Sequence, residues 1–268
     1  MKKLKKSVLV IVLAVIFALY PVKNFISLAN TEAEKITVED TAEKYLKELA
    51  SYDVKKAQQN IKKANSAFYY EMTPTDAEVK AVLKKLSQGK TTYRKVFKDV
   101  FIVGDSLMNG LECYNILNSN RLITQVSASL YHLSDNVKKI IKNSPKVLIL
   151  HYGVNMISTN KNQLNNFISM YTRLIKQIQK GSPDTRIIIS GLFPVDTDVA
   201  RAKRFTKIDT YNKALKNMCS ELKIEFLDSS PVLKAHPECY GSDGIHLSKA
   251  FYEKYWLRFI ITEKGIVG

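Results

Sequence analysis

The stretch Val100-Phe101-Ile102-Val103-Gly104-Asp105-Ser106-Leu107 decides the fold class. Its apolar, mostly β-branched half lacks polar alternation, the pattern of a strand buried on both faces. The run breaks at a glycine, and helical character follows over Leu107–Leu117. Similar runs recur at Leu122–Val126, Val147–Leu150, Arg186–Ser190 and Ile224–Leu227. Helical segments separate or follow them at Leu133–Lys142, Gln163–Lys180, Ile208–Leu222 and Lys249–Ile261. Strand-helix alternation of this kind predicts an α/β fold, a parallel sheet covered by helices on both faces. Chemistry in such sheets gathers at the carboxyl ends of the strands, so the residues just after each run are the ones to inspect.

Three strand ends carry reactive or polar groups. Ser106 stands at the strand-to-helix turn of Gly104-Asp105-Ser106-Leu107, where a hydroxyl is exposed and the backbone N–H lies at the positive end of a helix. Taken alone, this tetrapeptide is equally a helix-capping turn. After the last strand and a loop comes Ser242-Asp243-Gly244-Ile245-His246, directly before the final helix. An Asp three residues before a His can orient the imidazole through one ring nitrogen while the other faces a nucleophile. The third strand is followed by His151-Tyr152-Gly153-Val154-Asn155, and Asn155 can aim a neutral amide at developing negative charge. Parallel strands put all three ends on one edge of the sheet.

Over about residues 96–265 the chain resembles the SGNH/GDSL hydrolase family. Gly104-Asp105-Ser106-Leu107 is similar to its nucleophile block, Gly153-Val154-Asn155 to its Gly-x-Asn block, and Asp243-x-x-His246 to its final block. The resemblance implies a flavodoxin-like three-layer α/β/α sandwich with Ser106 as nucleophile, His246 as general base and Asp243 as its orienter. It implies an oxyanion hole of the Ser106 N–H, the Asn155 amide and a backbone N–H after the second strand. Gly104, Asp105 and Gly153 support these groups. The family usually has glycine after the second strand, whereas this chain reads Gln125-Val126-Ser127-Ala128-Ser129. Ser127 is placed at that position, with Ala128 as the alternative; a turn needing positive φ would strain a serine. Met156 stands where the family often has Asp, so the pocket floor differs.

The implied reaction is two-step acyl transfer through an acyl-serine, with neither cofactor nor metal. It points to a serine esterase of small, acetyl-type esters; a cell-envelope carbohydrate as their carrier follows from compartment and charge and from what some members of the resembled family do. An O-acyltransferase would use the same residues with a sugar hydroxyl replacing water. An inactive glycan-binding module is the reading from another class.

Compartment is read from the N-terminus. Lys2, Lys3, Lys5 and Lys6 precede the apolar run Val8–Val22, and Lys23 follows it. A basic head before a hydrophobic segment marks export, as a signal peptide or an uncleaved membrane anchor within residues 1–29. Residues 30–95 read as a polar helical stalk, with a helix from Thr75 to near Gly89, and residues 96–268 as the catalytic domain. The chain of 268 residues carries 41 Lys+Arg against 25 Asp+Glu, a formal charge of +16. Five lysines fall in residues 1–29, which leaves 36 basic against 25 acidic residues, or +11, for the remainder. With export expected and no basic run interleaved with aromatics, nucleic acid is excluded as a partner. Anionic envelope polymers and a membrane held through the N-terminal segment are the partners this charge suits, beside the alternative of a merely solubilising surface.

Other residues carry weaker signals. Cys219 and Cys239 flank the loop to the C-terminal motif and are a candidate pair, leaving Cys113 free; three buried thiols are the alternative. His151 is read as a packed strand-end residue or a group near the pocket, and His132 as structural. His236-x-x-Cys239 lacks the second ligand pair that zinc requires. Phe193-Pro194 and the loop to Lys207, with Arg201, Lys203 and Arg204, either line the site or form a solvated basic loop.

Overall fold

The computed structural model describes residues 77–268, apart from 197, 200 and 201. The hydrophobic segment, most of the expected stalk and Arg201 lie outside the described residues. Helices α1 (Ala77–Ser87) and α2 (Tyr93–Val96) precede β1 (Val100–Gly104), α3 (Ser106–Cys113), β2 (Leu122–Thr124), α4 (Leu130–Asn143) and β3 (Val147–His151). Then follow α5 (Lys161–Gly181), β4 (Arg186–Ser190), α6 (Ile208–Leu222), β5 (Glu225–Leu227) and α7 (Ser230–Lys234). A π-helical segment, Phe251–Trp256, leads into α8 (Leu257–Lys264). No described helix is long and apolar enough to cross a membrane.

The five strands are all parallel in the order β2-β1-β3-β4-β5. Every residue of β1 is buried, as are the last four of β3 and of β4, because helices cover both faces of the sheet. Helices α4, α5 and α6 pack side by side. Across the sheet, α3 packs against the C-terminal helical segment, where the Tyr252 ring fills the space beside Gly110. The result is the expected three-layer α/β/α sandwich. Chain connections run from β1 outward to β2 and back to β3 on the opposite side, so the order reverses between β1 and β3. Polar groups at the carboxyl ends of those two strands therefore face a common crevice.

The strand expectations hold within one or two residues at each end. The stalk boundary does not sit at residue 95. Val79 of α1 is 2% exposed and belongs to the same apolar core as the sheet, together with Val96 and Phe97. The Tyr93 hydroxyl donates to the Glu253 carbonyl. Residues 77–97 thus belong to the body, since an amphipathic helix with one apolar stripe needs a surface on which to bury it.

Candidate functional site

Gly104 ends β1 in register with His151 of β3. A Cβ on Gly104 would lie 2.6 Å from the His151 carbonyl oxygen and 2.5 Å from Met108 Cγ, so only glycine lets α3 start this close to the sheet. Asp105 caps α3: its Oδ1 accepts from the Leu107 N–H at 3.1 Å. The cap is fully buried. Burial raises the Asp105 carboxyl to about 7, against the pull of the Leu107 and Gly153 N–H groups and of His246. Ser106 is the first residue of α3, half-buried, with its N–H among those that a helix start leaves without an intrahelical acceptor.

Ser106 Oγ lies 3.0 Å from His246 Nε2, and His246 Nδ1 lies 2.5 Å from Asp243 Oδ2. The other carboxylate oxygen, Oδ1, accepts from the N–H groups of Ile245 at 3.0 Å and His246 at 2.9 Å, closing a tight turn around its own imidazole. Desolvation pulls the Asp243 carboxyl upward, but the imidazole and the two N–H groups outweigh it and hold it at about 2. An ionised Asp243 at Nδ1 selects the tautomer whose Nε2 lone pair faces the Ser106 hydroxyl. The His246 and Asp243 side chains are 53% and 49% exposed, so the site is open to solvent.

The loop after β2 takes the strained form that a serine at a glycine position implies. Ser127 has φ +57°, in the left-handed region. Ala128, the alternative donor, is buried, and its N–H donates to the Gln125 carbonyl. Ser127 is exposed, and its N–H donates to no described residue. From beyond the end of β3, across β1, Asn155 Nδ2 donates to the Ala128 carbonyl at 2.9 Å, which orients the amide and ties the two loops together. Gly153 permits this turn with φ +145°, and a Cβ there would meet Leu192 Cδ2 at 2.7 Å. Met156 makes a further tie, its Sδ accepting from the Leu130 N–H at 3.4 Å. His132 completes a capping box, its Nδ1 accepting from the Ser129 N–H at 3.1 Å.

Several candidates fall away from the site. His151 is fully buried, with Nδ1 3.2 Å from Ser190 Oγ and its ring against Phe193; burial lowers its pKa to about 3. Phe193 does not line the site but packs on His151, Phe251 and Trp256. In the basic loop, Lys203 and Arg204 are exposed, and the Arg204 guanidinium sits over the Phe205 ring. The Cys219–Cys239 pair is not formed: both thiols are free and buried, on α6 and in the turn Pro237–Cys239. Burial pushes the Cys219 thiol up to about 12 and raises that of Cys239. Cys113 is free but exposed. His236 stacks on Tyr255 and pairs with Glu238 rather than facing Cys239 as a ligand set.

Two features of the site escape motif reading. The burial of Asp105 depends on layers contributed by distant segments. The carbonyl tie of Asn155 depends on a loop 27 residues upstream. Neither leaves a local signal in the sequence.

This arrangement defines a class of α/β hydrolytic enzymes with a hydroxyl, an imidazole and a carboxylate in a hydrogen-bonded row at strand ends. The model of the GDSL-like lipase/acylhydrolase family matches residues 102–254, more than half of the chain, and the chain belongs to that family. It is accordingly a serine hydrolase of carboxylic esters. No curated protein sequence matches the chain. Among solved structures it is similar to a GDSL-like lipase from Bacteroides thetaiotaomicron, at 15% identity and TM-score 0.49, over 69% of this chain and 96% of the other. It is also similar to a catalytic mutant of an acetylxylan esterase from Geobacillus stearothermophilus, at 13% identity and TM-score 0.49, over 62% of this chain and 94% of the other.

Proposed function

We propose that this chain is an exported, membrane-tethered serine esterase that removes small acyl groups from a cell-envelope carbohydrate. The observation that carries the chemistry is the row Ser106 Oγ, His246 Nε2, His246 Nδ1 and Asp243 Oδ2, with separations of 3.0 and 2.5 Å. His246 takes the Ser106 proton as Oγ attacks the ester carbonyl, and the carbonyl π electrons move onto oxygen. The Ser106 N–H, the Ser127 N–H and Asn155 Nδ2 receive that oxyanion. Collapse expels the alcohol, which takes the proton from His246, and an acyl-serine remains. Water then repeats the sequence, losing its proton to His246 and releasing the acid and the free serine.

Asp243 stays ionised throughout, since its carboxyl is held near 2. Its charge stabilises the imidazolium formed in each step. An open site with half-exposed His246 and Asp243 suits an ester carried on a bulky polymer and leaves little wall for a long acyl chain. Export and tethering rest on the basic head and apolar run at Lys2–Val22. The excess of basic residues outside that segment suits an anionic envelope surface.

The test is hydrolysis of acetyl and longer acyl esters, and of a labelled acetylated polysaccharide, by the full chain and by Ser106→Ala. Release of free acid that Ser106→Ala abolishes is expected, with acetyl preferred. Undiminished hydrolysis in Ser106→Ala overturns the assignment, and label moved onto an acceptor sugar would make the enzyme an acyltransferase.

A further inference from the structure

Ser106 and His246 lie 140 residues apart in the chain and meet through one side-chain hydrogen bond. A distance between two separately anchored elements needs further restraint if it is to stay within reach of proton transfer. Two tyrosine hydroxyls supply contacts of this kind. Tyr252, six residues beyond His246, donates to the carbonyl of Leu107 at 2.5 Å. Tyr114, eight residues beyond Ser106, donates to the carbonyl of Leu247 at 3.1 Å. Each phenol reaches from one element to the residue immediately after the reactive side chain of the other.

We infer that Tyr114 and Tyr252 are reciprocal struts, positioning residues that hold Ser106 and His246 at reacting distance; the inference rests on the roles proposed above for those two residues. Packing is built around the pair. Tyr252 is 1% exposed, and a Cβ on Gly110 would lie 2.7 Å from its ring and hydroxyl, so the glycine in α3 is what admits the phenol to Leu107. The rings of Tyr114 and Tyr252 are 6.0 Å apart, so displacement of one is felt by the other. Tyr252 sits in the π-helical segment Phe251–Trp256, a distortion of helical register that recurs at functional sites. The Leu247 end is fixed as well: Leu247 bridges to Tyr240, and the His246 carbonyl accepts from the Gly241 N–H at 2.7 Å. Tyr114 therefore ties the nucleophile helix to a turn that is already closed on itself.

The experiment compares Tyr114→Phe, Tyr252→Phe and Tyr93→Phe in the full chain. Tyr93→Phe is the control, since its hydroxyl also donates to a carbonyl of the C-terminal helical segment, that of Glu253, but not beside a reactive residue. Expected for each strut variant is a fall in kcat of about tenfold with KM within about twofold. The rate at which a serine-directed phosphonate labels Ser106 should fall in step, while Tyr93→Phe keeps both at wild-type level. Tyr114 is 37% exposed, so Tyr114→Phe keeps the test readable should Tyr252→Phe not fold. The inference is overturned if the strut variants keep kcat and labelling within about twofold of wild type, or if Tyr93→Phe loses as much as they do. Activity that survives Ser106→Ala would instead remove the functional reading beneath it.

Discussion

Asp105 and His151 are both fully buried and bias stability in opposite directions as pH changes. Burial raises the Asp105 carboxyl to about 7. Between about pH 4 and 7 the folded chain keeps a proton that the unfolded chain releases, so this group's contribution to stability falls as pH rises through that window. A shift of about three units corresponds to on the order of 4 kcal/mol. Burial lowers His151 to about 3. There the folded chain stays neutral where an unfolded imidazole takes up a proton, so stability is lost as pH falls below about 6.5, on the order of 5 kcal/mol in all.

From about pH 4 to 6.5 the two slopes nearly cancel, and the wild-type profile hides both. Single substitutions unmask them. Asp105→Asn keeps an oxygen for the Leu107 N–H, and its stability relative to wild type should rise by several kcal/mol from about pH 4 to 8. His151→Gln keeps a partner for Ser190, and its relative stability should rise as pH falls from about 7 to 4. Urea midpoints across this range, followed by the fluorescence of the single, buried Trp256, give the differences directly. Differences that stay flat within about 1 kcal/mol in both variants would refute the burial argument for these two groups.

The loops around the proposed oxyanion site give two further expectations. Ser127→Gly relieves a left-handed residue, worth about 1–2 kcal/mol, and raises unfolded-chain entropy, worth about 0.4–1 kcal/mol, so stability should rise by up to about 1.6 kcal/mol. Its backbone N–H remains, and kcat for a small ester should stay within about twofold; a tenfold loss would mean that the Ser127 hydroxyl takes part. Asn155→Ala removes a donor of the proposed oxyanion hole and should lower kcat by about 100- to 1000-fold. Because Asn155 is exposed and its structural bond is the one to the Ala128 carbonyl, circular dichroism should show a folded protein.

Much of the architecture is legible in the chain because its signals are local. Short, β-branched apolar runs such as Phe101–Val103 and Ile187–Ile189 carry the pattern of strands buried on both faces, and their alternation with helices points to a parallel sheet. Strand-end motifs were enough to nominate Ser106, Asn155, Asp243 and His246, since parallel strands share one edge. The stalk boundary failed because composition does not reveal packing. Residues 77–95 look polar and helical, yet Val79 alone shows that α1 has a seat on the core. The candidate Cys219–Cys239 pair failed for a similar reason, as sequence spacing says nothing of how two side chains are directed.

Sequence by itself determined which residue types stand at which strand ends, and with them the family and reaction class. Tertiary structure alone decided how those residues are held. It left Ser127, not Ala128, with an unspent N–H after β2. It buried Asp105 at the cap before Ser106 and His151 beside Ser190, shifting both ionisations by removing water. It brought Tyr114 and Tyr252 onto the carbonyls beside His246 and Ser106. The physical reason is one of range: hydrophobic periodicity and turn chemistry act over a few residues, whereas burial and cross-element hydrogen bonds join groups up to 160 residues apart.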